Sequence, residues 1–156
     1  MTIRQALLAA VAFGAMASGA QAANLVTNGD FEAGNTGFGS DYVFHIPTVN
    51  QAEYSIATDP NDVHSSFASF GDHTTGSGNM LIVNGSDSTT ERVWYQNGIS
   101  VAQDTTYYFS TWIRSVYDVA PAQLDFSINL NGIGTTFTAG AVADGWRQFY
   151  ATWNSG

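Results

Sequence analysis

The chain has 156 residues, 13 acidic side chains against four basic ones, a net charge of −9, 44% hydrophobic residues and no cysteine. The absence of cysteine excludes disulfides, thiolate zinc sites and thiol catalysis. The charge repels phosphate backbones and anionic lipid, which argues against nucleic-acid and membrane partners and for neutral ligands or cations.

Residues 1–22 read as a secretory signal. Arg4 lies in a short polar leader, residues 6–17 form an apolar stretch too short to cross a bilayer, and Ala20-Gln21-Ala22 fits a small-residue cleavage site. The competing reading is an uncleaved anchor, against which the Ala/Gly-rich composition and the interruption at Ser18 and Gly19 count. All 13 acidic residues and three of the four basic ones follow Ala22, so the mature part carries −10. Residues 23–156 are expected to form one exported domain, large enough to bury a core without staples.

That part opens with "ANLVTNGDFEAGN", a short apolar strand, a turn and the carboxylates Asp30 and Glu32. Residues 59–78, rich in Ser, Gly, Asp and His, read as long loops with a short strand near 67–70. Strand composition marks residues 79–83, 92–95, 107–117, 123–130 and 146–153. Asn-Gly occurs at Asn28-Gly29, Asn84-Gly85, Asn97-Gly98 and Asn131-Gly132. Each is a hairpin signal, because a type I′ turn needs positive φ at both central residues.

Two strands declare their faces. In "YYFSTWIRSVY" the set Tyr107, Phe109, Thr111, Ile113, Ser115, Tyr117 is predicted to face the core, and Tyr108, Trp112 and Arg114 the opposite side. In "QLDFSINL", Leu124, Phe126, Ile128 and Leu130 alternate with Asp125, Ser127 and Asn129, the pattern of a half-wet sheet. Strands at roughly ten-residue spacing with turn residues between them predict an all-β antiparallel β-sandwich or jelly roll. The sequence stops just after the strong strand in "GWRQFYATWNSG", so one or more closing strands are expected to be missing.

"NLVTNGDFEAG", "DTTYYFSTWIRS" and "GWRQFYATW" resemble carbohydrate-binding-module-like domains of the galactose-binding jelly-roll class. "FGDHTTGSGNMLIVNG", "PAQLDFSINLNG" and "QFYATWNSG" resemble exported bacterial proteins that often carry a C-terminal PEP-CTERM sorting tail. The likeness runs over most of residues 24–156 and lacks a closing "N-D-F-x-L-D-D" segment and the tail. In the related modules a calcium ion commonly ties the N-terminal strand to a neighbouring loop and the C-terminal strand. The resemblance therefore implies Glu32 as a calcium ligand, with Asp30 and the loop pair Asp72 and His73 as further candidates, the pair through carbonyl oxygen. The alternative makes Asp30 and Glu32 solvated turn carboxylates.

Sugar rings stack their C–H faces on aromatic side chains, so aromatics on a wet sheet face with polar neighbours form a saccharide platform. Trp112 with Arg114, Trp94 or Tyr95 with Gln96, and Tyr117 are the candidates. The alternative for each is core packing. Catalytic signatures are missing: there is no G-x-S-x-G, no H-E-x-x-H and no phosphate loop, and Val63 breaks calcium-loop spacing after Asp59 and Asn61. His45, His64 and His73 are too scattered for a zinc site, and Asn84-Gly85-Ser86 matches a glycosylation sequon that is also a turn. The sequence thus predicts a non-catalytic, calcium-stabilised module binding extracellular polysaccharide. Its rival is a cell-surface or matrix protein that makes protein contacts without recognising a sugar.

Overall fold

Residues 23–46, 50–128, 131–132 and 137–156 are described by the computed structural model, Asn131 and Gly132 through their backbone alone. The expected leader, Asn129 and Leu130 lie outside them. The first described stretch is turns rather than the expected strand, with Asn28 and Phe31 in left-handed backbone. β1 (Val43–Phe44) and β2 (Glu53–Ala57) pair in parallel, Val43 opposite Glu53, against the antiparallel expectation. β2 then pairs antiparallel with β3 (Met80–Asn84) over five residues, its partner rich in the branched side chains that suit a pleat. Between them, α1 (Pro60–Val63) is one turn, started by Pro60 and capped by Asp59, whose Oδ1 accepts the Asn61 amide at 2.9 Å. Residues 67–70 form no strand; the Ala68 amide bonds to the Val116 carbonyl, and Phe67 and Ser69 are tied to residues 59–64 around α1.

β4 (Thr106–Ile113) follows a long loop. In that loop the expected strand at 92–95 shrinks to one bridge, in which Gly39 and Tyr95 exchange both backbone bonds. β5 (Gln123–Leu124), β6 (Ser127–Ile128), β7 (Asn131–Gly132) and β8 (Phe137–Thr138) make a hairpin, β5 pairing with β8 and β6 with β7. Asn131 pairs with Ile128 and Gly132 with Ser127, so Asn131-Gly132 sits in an arm of the ladder and not at its turn. Asn28-Gly29, Asn84-Gly85 and Asn97-Gly98 also join no adjacent pair of strands, so the four expected hairpin turns are corrected. Positive φ is present at Asn28 and Gly98, which shows that Asn-Gly reported a tight reversal but not the strands around it. After a 3₁₀ turn at Val142–Asp144, β9 (Arg147–Asn154) closes an eight-pair antiparallel ladder with β4.

The chain is all-β, its helix among the described residues limited to α1 and the 3₁₀ turn, and its sheets are small. Two cores hold them. Val63, Phe67, Met80 and Ile82 join α1 to β3, flanked by Phe70, Val116 and Trp146. Ile113, Ala139 and Phe149 anchor the second, where Leu124, Phe126 and Phe137 of the hairpin region cover the inner face of β4 and β9. Phe149 sits at its centre, stacked on Phe126 at 4.1 Å and edge-on to Phe137 at 5.5 Å. The predicted inward set of β4 is correct through Ser115, and Leu124, Phe126 and Ile128 are half-buried as expected. Tyr117 is not inward: it is 46% exposed, because β4 ends at Ile113 and the alternation does not outlast Ser115.

Candidate functional site: an aromatic face on the long ladder

The inner face of β4 and β9 is filled by Phe109, Ile113, Phe149 and Ala151, so the period of two sends the other side chains outward. Those are Thr106, Tyr108, Ser110 and Trp112 on β4, opposite Asn154, Thr152, Tyr150 and Gln148 on β9. Tyr150 faces Ser110, which sets it diagonally between Tyr108 and Trp112, within the reach of cross-strand aromatic neighbours. Tyr108, Tyr150 and Trp112 are 72%, 60% and 40% exposed, and a ring that large left in water is the observation that needs a reason. The two tyrosine rings lie 6.2 Å apart and 17° from parallel. Every other side chain on this face is a neutral hydroxyl or amide.

A ring contact closes one end of the face. His73 stacks on Trp112 at 3.6 Å and 15°, and meets Trp146 edge-on at 6.3 Å. Trp146 in turn stands edge-on to Phe70 and donates its Nε1–H to the Gly71 carbonyl at 3.2 Å. These contacts fasten the 70–73 loop to the end of the ladder.

That loop is built around Asp72. Oδ2 accepts the Thr74 and Thr75 amides at 2.7 and 2.8 Å, and Oδ1 accepts the Thr75 hydroxyl and the Gly78 amide at 2.7 and 2.6 Å. Those bonds, the Thr75 amide first, hold the Asp72 carboxyl well below the usual carboxylate range. Glu32 reaches the same loop, its Oε1 accepting the Asn79 amide at 2.9 Å. A side chain at Gly78 would collide with that oxygen, which is why glycine stands there.

Asp72 therefore spends its four acceptor positions on four donors, and the His73 ring is spent on Trp112. The route expected from this pair to an ion, through carbonyl oxygen, uses neither side chain. Asp30 accepts the Glu32 amide at 3.3 Å, and both acidic side chains are exposed. Among the described residues no three His, Asp or Glu side chains converge where they could hold a metal ion. For an ion that takes six to eight oxygens, Glu32, Asp30 and loop carbonyls are what this corner offers.

The structure separates the remaining predicted residues from the aromatic face. Arg114, just past β4, lays its guanidinium 3.9 Å over the Phe70 ring and donates from Nη2 to the Val142 carbonyl, while its Nε is buried without a partner. Arg114 and Trp112 both meet the 70–73 loop, Arg114 through Phe70 and Trp112 through His73; a long stem with a flat cation packs readily on an aromatic ring. Trp94 is half-buried with its Nε1 shut from solvent and unpartnered. Tyr95 is pressed between Gly39 and Arg92, whose guanidinium sits 3.8 Å over its ring. Gln96 is a clasp: its Oε1 accepts the Thr27 amide at 3.1 Å, and its Nε2 donates to the Thr27 and Gly37 carbonyls at 2.6 Å each. Beside it lies an open depression of about 300 Å³, lined by Leu25, Thr27, Asn97 and Ile99 among others.

Sequence reasoning missed Tyr150 and left Tyr108 off the list of candidates. The signal was available: pairing "YYFSTWI" with "RQFYATW" so that Phe109 and Phe149 share a face puts Tyr108 and Tyr150 together on the other. No family model, curated protein or solved structure matches this chain.

Proposed function

We propose that the chain is an exported, non-catalytic module that holds extracellular polysaccharide on the outward face of β4 and β9, within a β-sandwich of jelly-roll type like the carbohydrate-binding modules it resembles. The supporting observation is the exposed row Tyr108, Tyr150, Trp112, set among neutral Ser110, Gln148, Thr152 and Asn154. Flat rings take the C–H faces of a sugar, and the hydroxyls and amides beside them bond its edge. The strong negative charge of the rest of the chain favours an uncharged glycan over an acidic one. Calcium belongs to this reading as a strut between Glu32 and the 71–79 loop.

Affinity electrophoresis through gels carrying neutral polysaccharides tests the platform. Retention should fall about tenfold in Tyr150→Ala, the equivalent of about 1.4 kcal/mol, with the melting temperature kept, and by a similar factor in Trp112→Ala, which also frees the 70–73 loop from His73. Unchanged retention in both variants would transfer the function to the protein-contact rival. For the ion, calcium should raise the melting temperature of the wild type and not of Glu32→Ala, and a melt indifferent to chelator removes the strut.

A further inference from the structure

We infer that Asn97 is a self-modifying site, which converts spontaneously to aspartate and isoaspartate through attack by the Gly98 nitrogen. A residue after asparagine reacts this way when its amide nitrogen is unhindered, which glycine alone ensures, and when the backbone leaves extended geometry so that nitrogen and carboxamide carbon can meet. Four Asn-Gly pairs satisfy the first condition. The fold separates them by how tightly it holds the carboxamide and the backbone around it.

Asn28 is locked. Its Nδ2 donates to the Gly34 and Thr36 carbonyls at 2.8 Å each, and its Oδ1 accepts the Ala33 amide at 2.9 Å. Asn84 is the last residue of β3, opposite Glu53, with its carbonyl accepting the Ala52 amide at 3.0 Å. Asn131 pairs with Ile128 and Gly132 with Ser127 inside the hairpin ladder. Asn97 is exposed, and among the described residues neither its carboxamide nor the Gly98 amide has a hydrogen-bond partner. Gly98 has φ of 72°, and open space surrounds the position where its side chain would be.

The chemistry balances without any cofactor. The Gly98 nitrogen gives up its proton and bonds to Cγ of Asn97, the Cγ–Nδ2 bond breaks, and Nδ2 leaves as ammonia. Water then opens the cyclic imide at either carbonyl, giving aspartate or, with the chain rerouted through Cγ, isoaspartate. One water enters and one ammonia departs. Isoaspartate adds a methylene to the backbone and a negative charge immediately after Gln96, the residue that clasps Thr27 and Gly37. Conversion therefore loosens the 23–37 segment.

Ageing the full chain in mildly alkaline buffer at physiological temperature, followed by peptide mapping, tests this. The Asn97 peptide should gain about one mass unit and accept methyl groups from an isoaspartyl methyltransferase, while Asn97→Gln should show neither. Because freeing Asn28 breaks three hydrogen bonds, conversion there should be at least about tenfold slower. Amide exchange at Thr27 should quicken in the aged protein and in no aged sample of Asn97→Gln. Conversion at Asn28, Asn84 or Asn131 as fast as at Asn97, or none at Asn97, overturns the inference. The outcome does not depend on whether the chain binds a glycan.

Discussion

The β4–β9 ladder and the 23–46 segment are held by different means. In the ladder, eight consecutive residue pairs and the aromatic cluster around Phe149 share the load, so cohesion comes from repetition. In the 23–46 segment, single polar side chains stand in for missing strand partners: Asn28 spans a turn, Gln96 clasps two carbonyls and an amide, and Asp41 takes three bonds from Arg92 at 2.8 to 2.9 Å. Repetition frees one whole face of the ladder for contact. A segment held by individual clasps has no such face to spare, which is why the aromatic platform lies on the ladder and not beside Gln96.

The largest effect should come from the ladder's core. Phe149→Ala removes the ring that touches Phe126, Phe137 and Phe109 and should cost about 3 kcal/mol, read as a lower urea midpoint with an unchanged slope. In the clasped segment, Asn28→Ala loses three hydrogen bonds and puts alanine at φ of 52°, and should cost about 2 kcal/mol, with Gln96→Ala somewhat less. If Asn28→Ala proves as costly as Phe149→Ala, the contrast between shared and single-point cohesion fails.

The smallest effect is a pH dependence. Hydrogen bonds from the Arg92 side chain, then its amide, lower the Asp41 carboxyl to about 2 from 3.8. A depressed carboxylate stabilises the fold fully above the unfolded value, so this contribution is intact above about pH 4 and fades as pH drops through 2. Carbon-detected NMR titration should find the low midpoint in the wild type and one raised part of the way toward 3.8 in Arg92→Ala, which keeps the amide bond.

What could be read from the sequence follows the same division. Alternation in "YYFSTWIRSVY" identified the buried and wet faces of β4 because packing against one core enforces a period of two. It failed at Tyr117, where the strand has ended and nothing enforces the period. The Asn-Gly pairs marked backbone that must turn, but the same chemistry serves loops and caps, so they located reversals without locating strands. That Gln96 clasps the 27–37 stretch was not legible, because the clasp depends on Thr27 and Gly37, both distant in sequence, arriving beside it. The four donors that Asp72 gathers were hidden for a similar reason, since they come from its own loop in a geometry that composition does not encode. Tyr150 gains its meaning only from the register that sets it opposite Ser110.

NMR mapping of side-chain shifts as a neutral oligosaccharide is added tests the central claim most directly. The shifts should concentrate on Tyr108, Tyr150 and Trp112 and leave Leu25, Gln96 and Ile99 unmoved. Shifts gathered at the depression beside Gln96, or none on the ladder's outward face at saturating sugar, would contradict it.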